Sequence, residues 1–308
     1  MIQVKNLVGG QFFSTEEVFD DISPINNAVI ASVPRTKSVQ SAVSAAEIAF
    51  EGWSKLSIEE RCGWLDKIAD ALEARIEEIA KLEAMDTGKP IDVALNVDAK
   101  RSVNNFRFFA TFGRDLKNET FEMDDATNYV IRKPVGIVGL ISPWNLPLYL
   151  LTWKIAPALL MGNVVIAKPS ELTPLTAHLL GKICVEIGLP NGVLNIVNGY
   201  GPEIGQKIVE HPKIKAISFT GGTATGKQVA ATAAPLFKKL SLELGGKNAS
   251  IVLDDADLDI AVPGVLRASF LNSGQICLCG SRILVHSSLY ESFLSRYLEE
   301  LKSFELSL

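Results

Sequence analysis

Apolar residues recur at helical spacing through most of the first hundred residues. Val39 to Trp53 carries Ala, Val and Ile at this spacing, and Ile58 to Met85 continues it along one face. Gly88 and Pro90 follow within a turn and end that second helix. Asp92 to Phe112 shows the same periodicity. The pattern predicts that this part of the chain is mainly helical.

From Tyr129 onward, short apolar runs rich in β-branched residues alternate with helical segments. The predicted strands cover residues 134–142, 163–167, 193–197, 216–220 and 239–244, and the predicted helices cover 149–160, 176–187, 203–210 and 225–234. Apolar strands that alternate with helices predict a parallel sheet covered on both faces, which is a doubly wound, Rossmann-like α/β unit. Such sheets bind ligands beyond the carboxyl ends of their strands, so the residues after each strand are the candidates for chemistry.

A second α/β unit is predicted after residue 246. It has strands at 249–253 and 282–285, helices at 258–272 and 289–304, and a loop at 275–280. Because two strands do not make a stable sheet alone, we expect this unit to be incomplete.

Composition excludes several classes of partner. The net charge is −5 without a Lys/Arg cluster, so we expect no nucleic acid and no membrane partner. The apolar runs are too short to span a bilayer, and the N-terminus resembles neither a signal nor a transit peptide, so we expect a cytoplasmic protein. The four cysteines and three histidines lack metal-ligand spacing, and we therefore predict no metal site.

Polar residues follow the first two predicted strands of the sheet. Asn145 stands on a loop that Pro143 and Pro147 stiffen. Lys168 and Glu171 follow the second strand, where a lysine can meet ribose or phosphate and an acid selects NAD over NADP. The plainer interpretation of these residues is a turn asparagine and two solvated charges.

Three further candidate sites lie later in the chain. Gly221 and Gly222 precede a predicted helix and Gly226 lies in its first turn, where small residues let backbone N–H groups approach a diphosphate, although the spacing is not the usual dinucleotide motif. Glu243 has apolar neighbours and two glycines after it, which is typical of a tuned base or of a structural carboxyl. Cys277 follows a Gly-Gln turn and is a candidate nucleophile, although most free cysteines are buried and inert.

Taken together, these motifs resemble the aldehyde dehydrogenase family. The matching segments, in the family's order, are Pro143-Trp144-Asn145, Lys168-Pro169-Ser170-Glu171, Phe219-Thr220-Gly221-Gly222, Leu242-Glu243-Leu244-Gly245-Gly246-Lys247 and Gly274-Gln275-Ile276-Cys277. Cys277 also lies 34 residues after Glu243, as the family's nucleophile and base require.

The resemblance implies a role for each matching residue. Cys277 would attack a small-molecule aldehyde and form a thiohemiacetal, and the side-chain amide of Asn145 with the Cys277 N–H would hold the oxyanion. Glu243 would activate the water that releases the acid from a thioester, with NAD as cofactor. The residues expected to bind NAD are Ile141, Trp144, Lys168, Glu171, Gly201, Gly221, Gly222, Gly226 and Leu244.

The resemblance also implies a domain organisation. Residues 1–115 and 134–243 would form the NAD-binding domain, residues 116–133 an oligomerisation hairpin and residues 244–308 a partial catalytic domain. A homo-oligomer is implied for a full-length form.

Two departures from the family pattern stand out. Gly222 replaces a frequent serine, and the family's later Glu-x-Phe-Gly-Pro motif is absent with the rest of the catalytic domain and the strand that joins subunits. We therefore expect a C-terminally truncated chain that is inactive alone, whether fragment, isoform or degenerate paralogue. A non-catalytic protein on the same scaffold stays open. Acyl transfer to coenzyme A is disfavoured because Glu243 is present.

A narrower resemblance is to the 2-aminomuconic and 2-hydroxymuconic semialdehyde dehydrogenases. It rests on residues 101–109, 140–148 and 276–278. Arg101 is predicted to share a helix face with Val97, Asn104, Asn105 and Phe108, and the resemblance implies that it binds the acid end of a semialdehyde. The alternatives are a surface arginine over apolar neighbours and, for the substrate, broad or betaine-type aldehyde oxidation.

Overall fold

The computed structural model describes residues 1–303 and consists of two compact units. The first runs from Met1 to Glu243, and the second begins at Leu244. Across the described residues, no helix is long and apolar enough to cross a membrane.

Five short strands precede the first helix. They are β1 (Ile2–Gln3), β2 (Asn6–Val8), β3 (Gln11–Phe13), β4 (Val18–Ile22) and β5 (Val29–Pro34). The expectation that the first hundred residues are mainly helical is therefore wrong for this segment. Strands of two to six residues are too short to show a clear period of two, and their stability comes from distant pairing partners instead.

A helical segment follows these strands. It contains α1 (Gln40–Trp53), α2 (Ile58–Glu73), α3 (Ile76–Thr87), α4 (Ile91–Val93), a π-helical turn (Ala94–Ala99) and α5 (Lys100–Asp115). The single helix predicted over 58–85 is broken at Arg75, whose φ of −117° and ψ of 23° leave the helical region. The single helix predicted over 92–112 is interrupted by the π turn, which shifts the helical register by one residue.

The segment between the helices and the main sheet forms a hairpin. Its antiparallel strands are β6 (Thr120–Glu122) and β7 (Thr127–Tyr129), and every residue of both is exposed.

A seven-stranded sheet forms the centre of the first unit. Its later strands are β8 (Ile137–Ile141), β9 (Val164–Lys168), β10 (Leu194–Ile196), β11 (Ile214–Gly221) and β12 (Lys239–Leu244). The helices that alternate with them are α6 (Pro147–Leu160), α7 (Leu175–Glu186), α8 (Gln206–Glu210, after a π turn over Gly201–Gly205) and α9 (Thr223–Ala233).

The strand order is β12-β11-β8-β9-β10-β2-β3. β11, β8, β9 and β10 pair in parallel, which confirms the predicted Rossmann-like fold class. The sheet is not wholly parallel, however, because β2 and β3 extend it antiparallel beyond β10. Strands β1, β5 and β4 form a separate small sheet.

The second unit contains two parallel strands and two helices. They are β13 (Asn248–Val252), α10 (Leu258–Phe270), β14 (Gly280–Val285) and α11 (Tyr290–Leu301), with a 3₁₀ turn over Leu271–Gly274. Its buried core is built around Val252, Leu266 and Phe293. The predicted end of the last helix at residue 304 lies outside the described residues.

Two carboxyl groups of helix α3 form hydrogen bonds with the first turns of helices α6 and α7. Glu83 accepts a hydrogen bond from the backbone N–H of Leu148 at 3.2 Å, and Asp86 accepts one from Leu175 at 3.0 Å. Both carboxyls therefore satisfy otherwise unpaired N–H groups in the first turns of α6 and α7. Burial, together with the nearby charge of Asp98, raises the pKa of Glu83 to about 8.

Because Glu83 keeps its proton in the folded protein up to about pH 8, compared with an ordinary pKa of 4.5, its contribution to stability is complete below pH 4.5 and is lost as the pH rises to about 8. The free energy of unfolding should fall between pH 6.5 and 8 by up to about 1.4 kcal/mol per pH unit for this proton. Burial lowers the pKa of His178 to about 4 from an ordinary value of 6.5, so this histidine affects the free energy of unfolding in the opposite direction. Its effect is complete by pH 6.5 and does not change within this window.

Urea unfolding of the protein and of Glu83→Gln across this window measures the effect. The Gln variant should show a shallower slope, whereas Glu77→Gln, an exposed position on the same helix, should keep the parent slope. An unchanged slope in Glu83→Gln would contradict the prediction.

Candidate functional site

The loop between β8 and α6 carries Asn145. This residue is partly buried, and its backbone carbonyl accepts a hydrogen bond from Lys89 Nζ at 3.0 Å. The neighbouring Trp144 is 44% exposed, so one large ring of the loop faces solvent. Ile141, the last residue of β8, is buried beneath the loop. Two predicted cofactor residues thus lie within the four positions before the candidate oxyanion donor.

Three predicted residues from two chain segments meet at the end of the next strand. Lys168 has a side chain only 2% exposed and forms an ion pair with Glu171. Glu171 Oε1 also accepts a hydrogen bond from the Gly201 N–H at 3.3 Å. Burial lowers the pKa of Lys168 against the opposing charge of Glu171. Burial alone would raise the pKa of Glu171, but Lys168 outweighs it, and the pKa is lowered. Glu171 is therefore a carboxylate at neutral pH.

The glycine segment after β11 leads into helix α9. Gly221 ends the strand, Gly222 precedes the first helical residue, and Gly226 is buried within the helix. No side chain caps this helix, and its first turn contains no acidic residue. A Cβ atom added at Gly222 would meet no atom within 4 Å. The N-terminus of α9 is therefore electropositive and open to an anion.

Glu243 is exposed near the end of β12 and lines a groove of about 410 Å³ within the first unit. Lys154 on α6 lines the same groove and donates a hydrogen bond to Ser218 Oγ at 3.0 Å. Burial lowers the pKa of Lys154 to about 8, while the charge of Glu243 acts in the opposite direction. The groove thus combines the candidate base with a lysine able to exchange a proton near neutral pH.

Sequence analysis did not identify Lys154. The signal was present, because Lys154 is the one charged residue in the apolar run from Pro147 to Met161. A lone cation in a buried helix needs a polar partner, so the single lysine in this apolar run could have been identified as a candidate from the sequence.

Arg101 lies on α5, which runs beside α6. Asn105 Nδ2 donates to the Tyr149 carbonyl and to Thr152 Oγ1, each at 2.9 Å. Arg101 itself is exposed and forms no hydrogen bond or ion pair with any residue in the described range 1–303. The predicted shared face is partly wrong: Asn105 is buried against α6, and the π turn changes the angular offset of Val97 from Arg101.

An aromatic cluster stands further along the same two helices. The ring of Trp153 lies 5.4 Å from that of Phe109 and 6.2 Å from that of Phe108. Phe108 and Trp153 are 55% and 46% exposed. Phe108 is two turns after Arg101, so α5 presents an unpaired cation and an aromatic ring on the same side.

Cys277 and Cys279 lie in the second unit, on the loop between α10 and β14. Cys277, the candidate nucleophile, is exposed, whereas Cys279 is buried. Asn248 Nδ2 donates to the backbone carbonyl of Cys277 at 2.6 Å, which fixes the loop to β13. Leu244, the remaining predicted cofactor residue, is the first residue of this unit and the last of β12.

The residues shortly before Cys277 have an unusual backbone conformation. Asn272, Ser273 and Gly274 have φ values of 53°, 56° and 72°, three consecutive residues in the left-handed region. Two of them are not glycine, and such conformations concentrate at functional sites. Within residues 1–303, no cluster of three His, Cys, Asp or Glu side chains could hold a metal ion.

The amino-acid sequence is similar to those of known aldehyde dehydrogenases. The model of the aldehyde dehydrogenase family matches residues 12–307. The human 2-aminomuconic semialdehyde dehydrogenase is 46% identical over 100% of this chain and 64% of its own length. A 2-hydroxymuconic semialdehyde dehydrogenase from Pseudomonas sp. (strain CF600) is 43% identical over 96% of this chain and 63% of its own.

Solved structures show the same likeness. The NAD⁺ complex of an aldehyde dehydrogenase from Bacillus cereus superposes with a TM-score of 0.96 at 38% identity, covering 99% of this chain and 64% of that one. The chain therefore spans somewhat less than two thirds of the length of the proteins it matches.

Proposed function

The chain belongs to the aldehyde dehydrogenase family, and from this we propose that the protein oxidises an aldehyde to the carboxylic acid with NAD as oxidant. The observation that carries the proposal is the Lys168–Glu171–Gly201 cluster beside β9, together with the open N-terminus of α9. We assign cofactor binding to residues 1–115 and 134–243, subunit association to the hairpin at 116–133, and the nucleophile to the unit that begins at Leu244.

The residues present suit NAD. Glu171 is a carboxylate that can accept hydrogen bonds from the hydroxyls of a ribose, and Lys168 holds it in place. The backbone N–H groups after Gly222 suit the diphosphate, because neither a cap nor an acid competes there. When bound, NAD supplies the acceptor for the hydride that leaves the substrate.

The protein's own groups then carry the remaining steps. Cys277 Sγ forms a bond to the carbonyl carbon, and the Asn145 amide stabilises the negative oxygen of the thiohemiacetal. Once a hydride has left this carbon, for which bound NAD would supply the acceptor, Cys277 would carry a thioester. Glu243 removes a proton from water, the resulting hydroxide attacks the thioester, and the carbon–sulfur bond breaks to release the acid. Aldehyde, NAD⁺ and water thereby become acid, NADH and a proton.

A dicarboxylic-type semialdehyde is the substrate class that we propose. Arg101 has an exposed guanidinium that is not engaged by any described side chain, and its planar fork binds carboxylates bidentately. The exposed rings of Phe108 and Trp153 suit a flat, unsaturated carbon chain. The names of the human and Pseudomonas relatives agree with this class.

In an active form of the protein, Cys277→Ala should abolish aldehyde oxidation, with a loss of at least about 10³-fold in kcat, because alanine cannot form the covalent intermediate. Cys279→Ala should retain most of the activity, since this thiol is buried. NADH production followed by absorbance measures both. The opposite behaviour of the two variants would show that the nucleophile is misassigned.

Glu171 should make the enzyme prefer NAD over NADP by at least about tenfold in kcat/KM, because a carboxylate at the ribose repels a 2′-phosphate. Glu171→Gln should narrow the preference while it keeps an acceptor for the Gly201 N–H. The measurement is steady-state kinetics with both cofactors. Equal efficiency in the parent enzyme would reject the assignment.

Arg101→Ala should lower kcat/KM for a muconic-type semialdehyde roughly 30- to 150-fold, the loss of about 2–3 kcal/mol typical of a charged hydrogen-bonded contact. A neutral aldehyde should be oxidised almost as before. The matched control is Arg107→Ala on the same helix, since Arg107 pairs with Asp70 at 2.9 Å within the protein. That variant should not discriminate between the substrates, and equal losses for both substrates in Arg101→Ala would mean that Arg101 is structural.

A further inference from the structure

A buried lysine outside the family motifs contacts the loop that carries Asn145. Lys89 Nζ lies 2.9 Å from Asp98 Oδ2 and 3.0 Å from the backbone carbonyl oxygen of Asn145. The side chains of Lys89 and Asp98 are 4% and 0% exposed. The ion pair is thus shielded from water, and one of the lysine's donors is directed at the candidate oxyanion residue.

The backbone around Lys89 restricts where its side chain can reach. Gly88 has a φ of 73° and ends α3 in the left-handed conformation, which glycine adopts without strain. Pro90 follows Lys89 and fixes its own φ. The partner Asp98 lies within the π turn that precedes α5, a type of irregularity that is frequent at functional sites.

A second contact fixes the first turn of α6, three residues after Asn145. Glu83 Oε1 accepts the backbone N–H of Leu148, and Glu83 is fully buried. The loop is therefore attached to α3 and the residues after it on both sides of Leu146, by its carbonyl at Asn145 and by its N–H at Leu148. Two fixed points this close leave the backbone between them little freedom to rotate.

We propose that Lys89, oriented by Asp98, is a positioning residue that sets the place of the Asn145 side chain. The proposal rests on the proposed function, in which Asn145 stabilises an oxyanion. An oxyanion donor is effective only when it is held ready at the position where charge develops, so the group that fixes its backbone contributes to the rate.

Stability alone does not account for this arrangement. Placing a lysine and a carboxylate out of water costs several kcal/mol per ion by general estimates, and apolar replacements of buried ion pairs are often neutral or stabilising. What an apolar side chain cannot supply is a donor for the Asn145 carbonyl. The interaction that depends on Lys89 is therefore directional.

Backbone hydrogen exchange of the chain, read by mass spectrometry over residues 142–150, tests the positioning directly. Lys89→Met alone leaves the Asp98 carboxylate buried without its cation, so the decisive variant is Lys89→Met with Asp98→Asn, which removes both charges. We expect exchange in this segment to accelerate at least about tenfold, the effect of losing roughly 1.4 kcal/mol of local protection.

The matched control is Lys238→Met, because Lys238 is also buried and donates to a backbone carbonyl, that of His211. It should leave residues 142–150 unchanged. Unchanged exchange in the Lys89/Asp98 variant would overturn the proposal, and so would an equal acceleration throughout residues 1–243, which would indicate general destabilisation.

A double-mutant cycle in the active enzyme separates positioning from a structural role. The Lys89/Asp98 variant should lower kcat about 10- to 100-fold without changing the KM for NAD, whereas in the Asn145→Ala background the same change should cost less than about twofold. Additive losses would refute action through Asn145. If Asn145→Ala alone kept its kcat, the oxyanion role in the proposed function would be wrong, while the exchange result would still decide whether Lys89 fixes the loop.

Discussion

The parallel register of β8 with its two neighbours is the constraint on which the rest of the site depends. Ile141 pairs with Lys168 of β9 and with Phe219 of β11, so three strands end side by side. Parallel strands place all their following loops at one edge, and register decides which loops are neighbours. The Asn145 loop, the Lys168–Glu171 turn and the start of α9 leave the sheet together for this reason.

Three buried lysines of the first unit each have a carboxylate nearby. Lys89 pairs with Asp98, Lys168 pairs with Glu171, and the charge of Glu243 acts on Lys154. Burial opposes each positive charge, and a nearby carboxylate offsets that cost. The three lysines differ in their surroundings. Lys89 donates to a backbone carbonyl, Lys168 lies beside the proposed ribose site, and the pKa of Lys154 is lowered to about 8 by burial.

The ends of the sheet strands could be predicted from the sequence because the signal for each lies within one turn. The residues after β8, β9 and β11 could be predicted because polar and glycine residues interrupt apolar strands there. The same reasoning missed the strands before residue 35, whose stability depends on distant partners such as the pairing of β2 with β10.

Two buried contacts that fix the segment around Asn145 were also not predicted from the sequence. Glu83 falls on the face of α3 that carries Ile79, so a carboxyl on an apolar stripe was visible in the sequence, but its partner at Leu148 was not. The contact of Lys89 with residue 145 joins positions far apart in the chain. Periodicity reports which face of a helix is buried, and it does not report which distant backbone group that face meets.

In the mechanism that we propose, Cys277 forms an acyl thioester that Glu243 helps to hydrolyse. Mass spectrometry of peptides from a Glu243→Gln variant of the active enzyme, quenched after mixing with NAD and an aldehyde substrate, tests it most directly. We expect the peptide that contains Cys277 to gain the mass of the acyl group, and we expect no adduct without NAD. An acyl group on Cys279 instead, or rapid product formation by this variant with no adduct at any time, would show that the proposed roles of Cys277 and Glu243 are wrong.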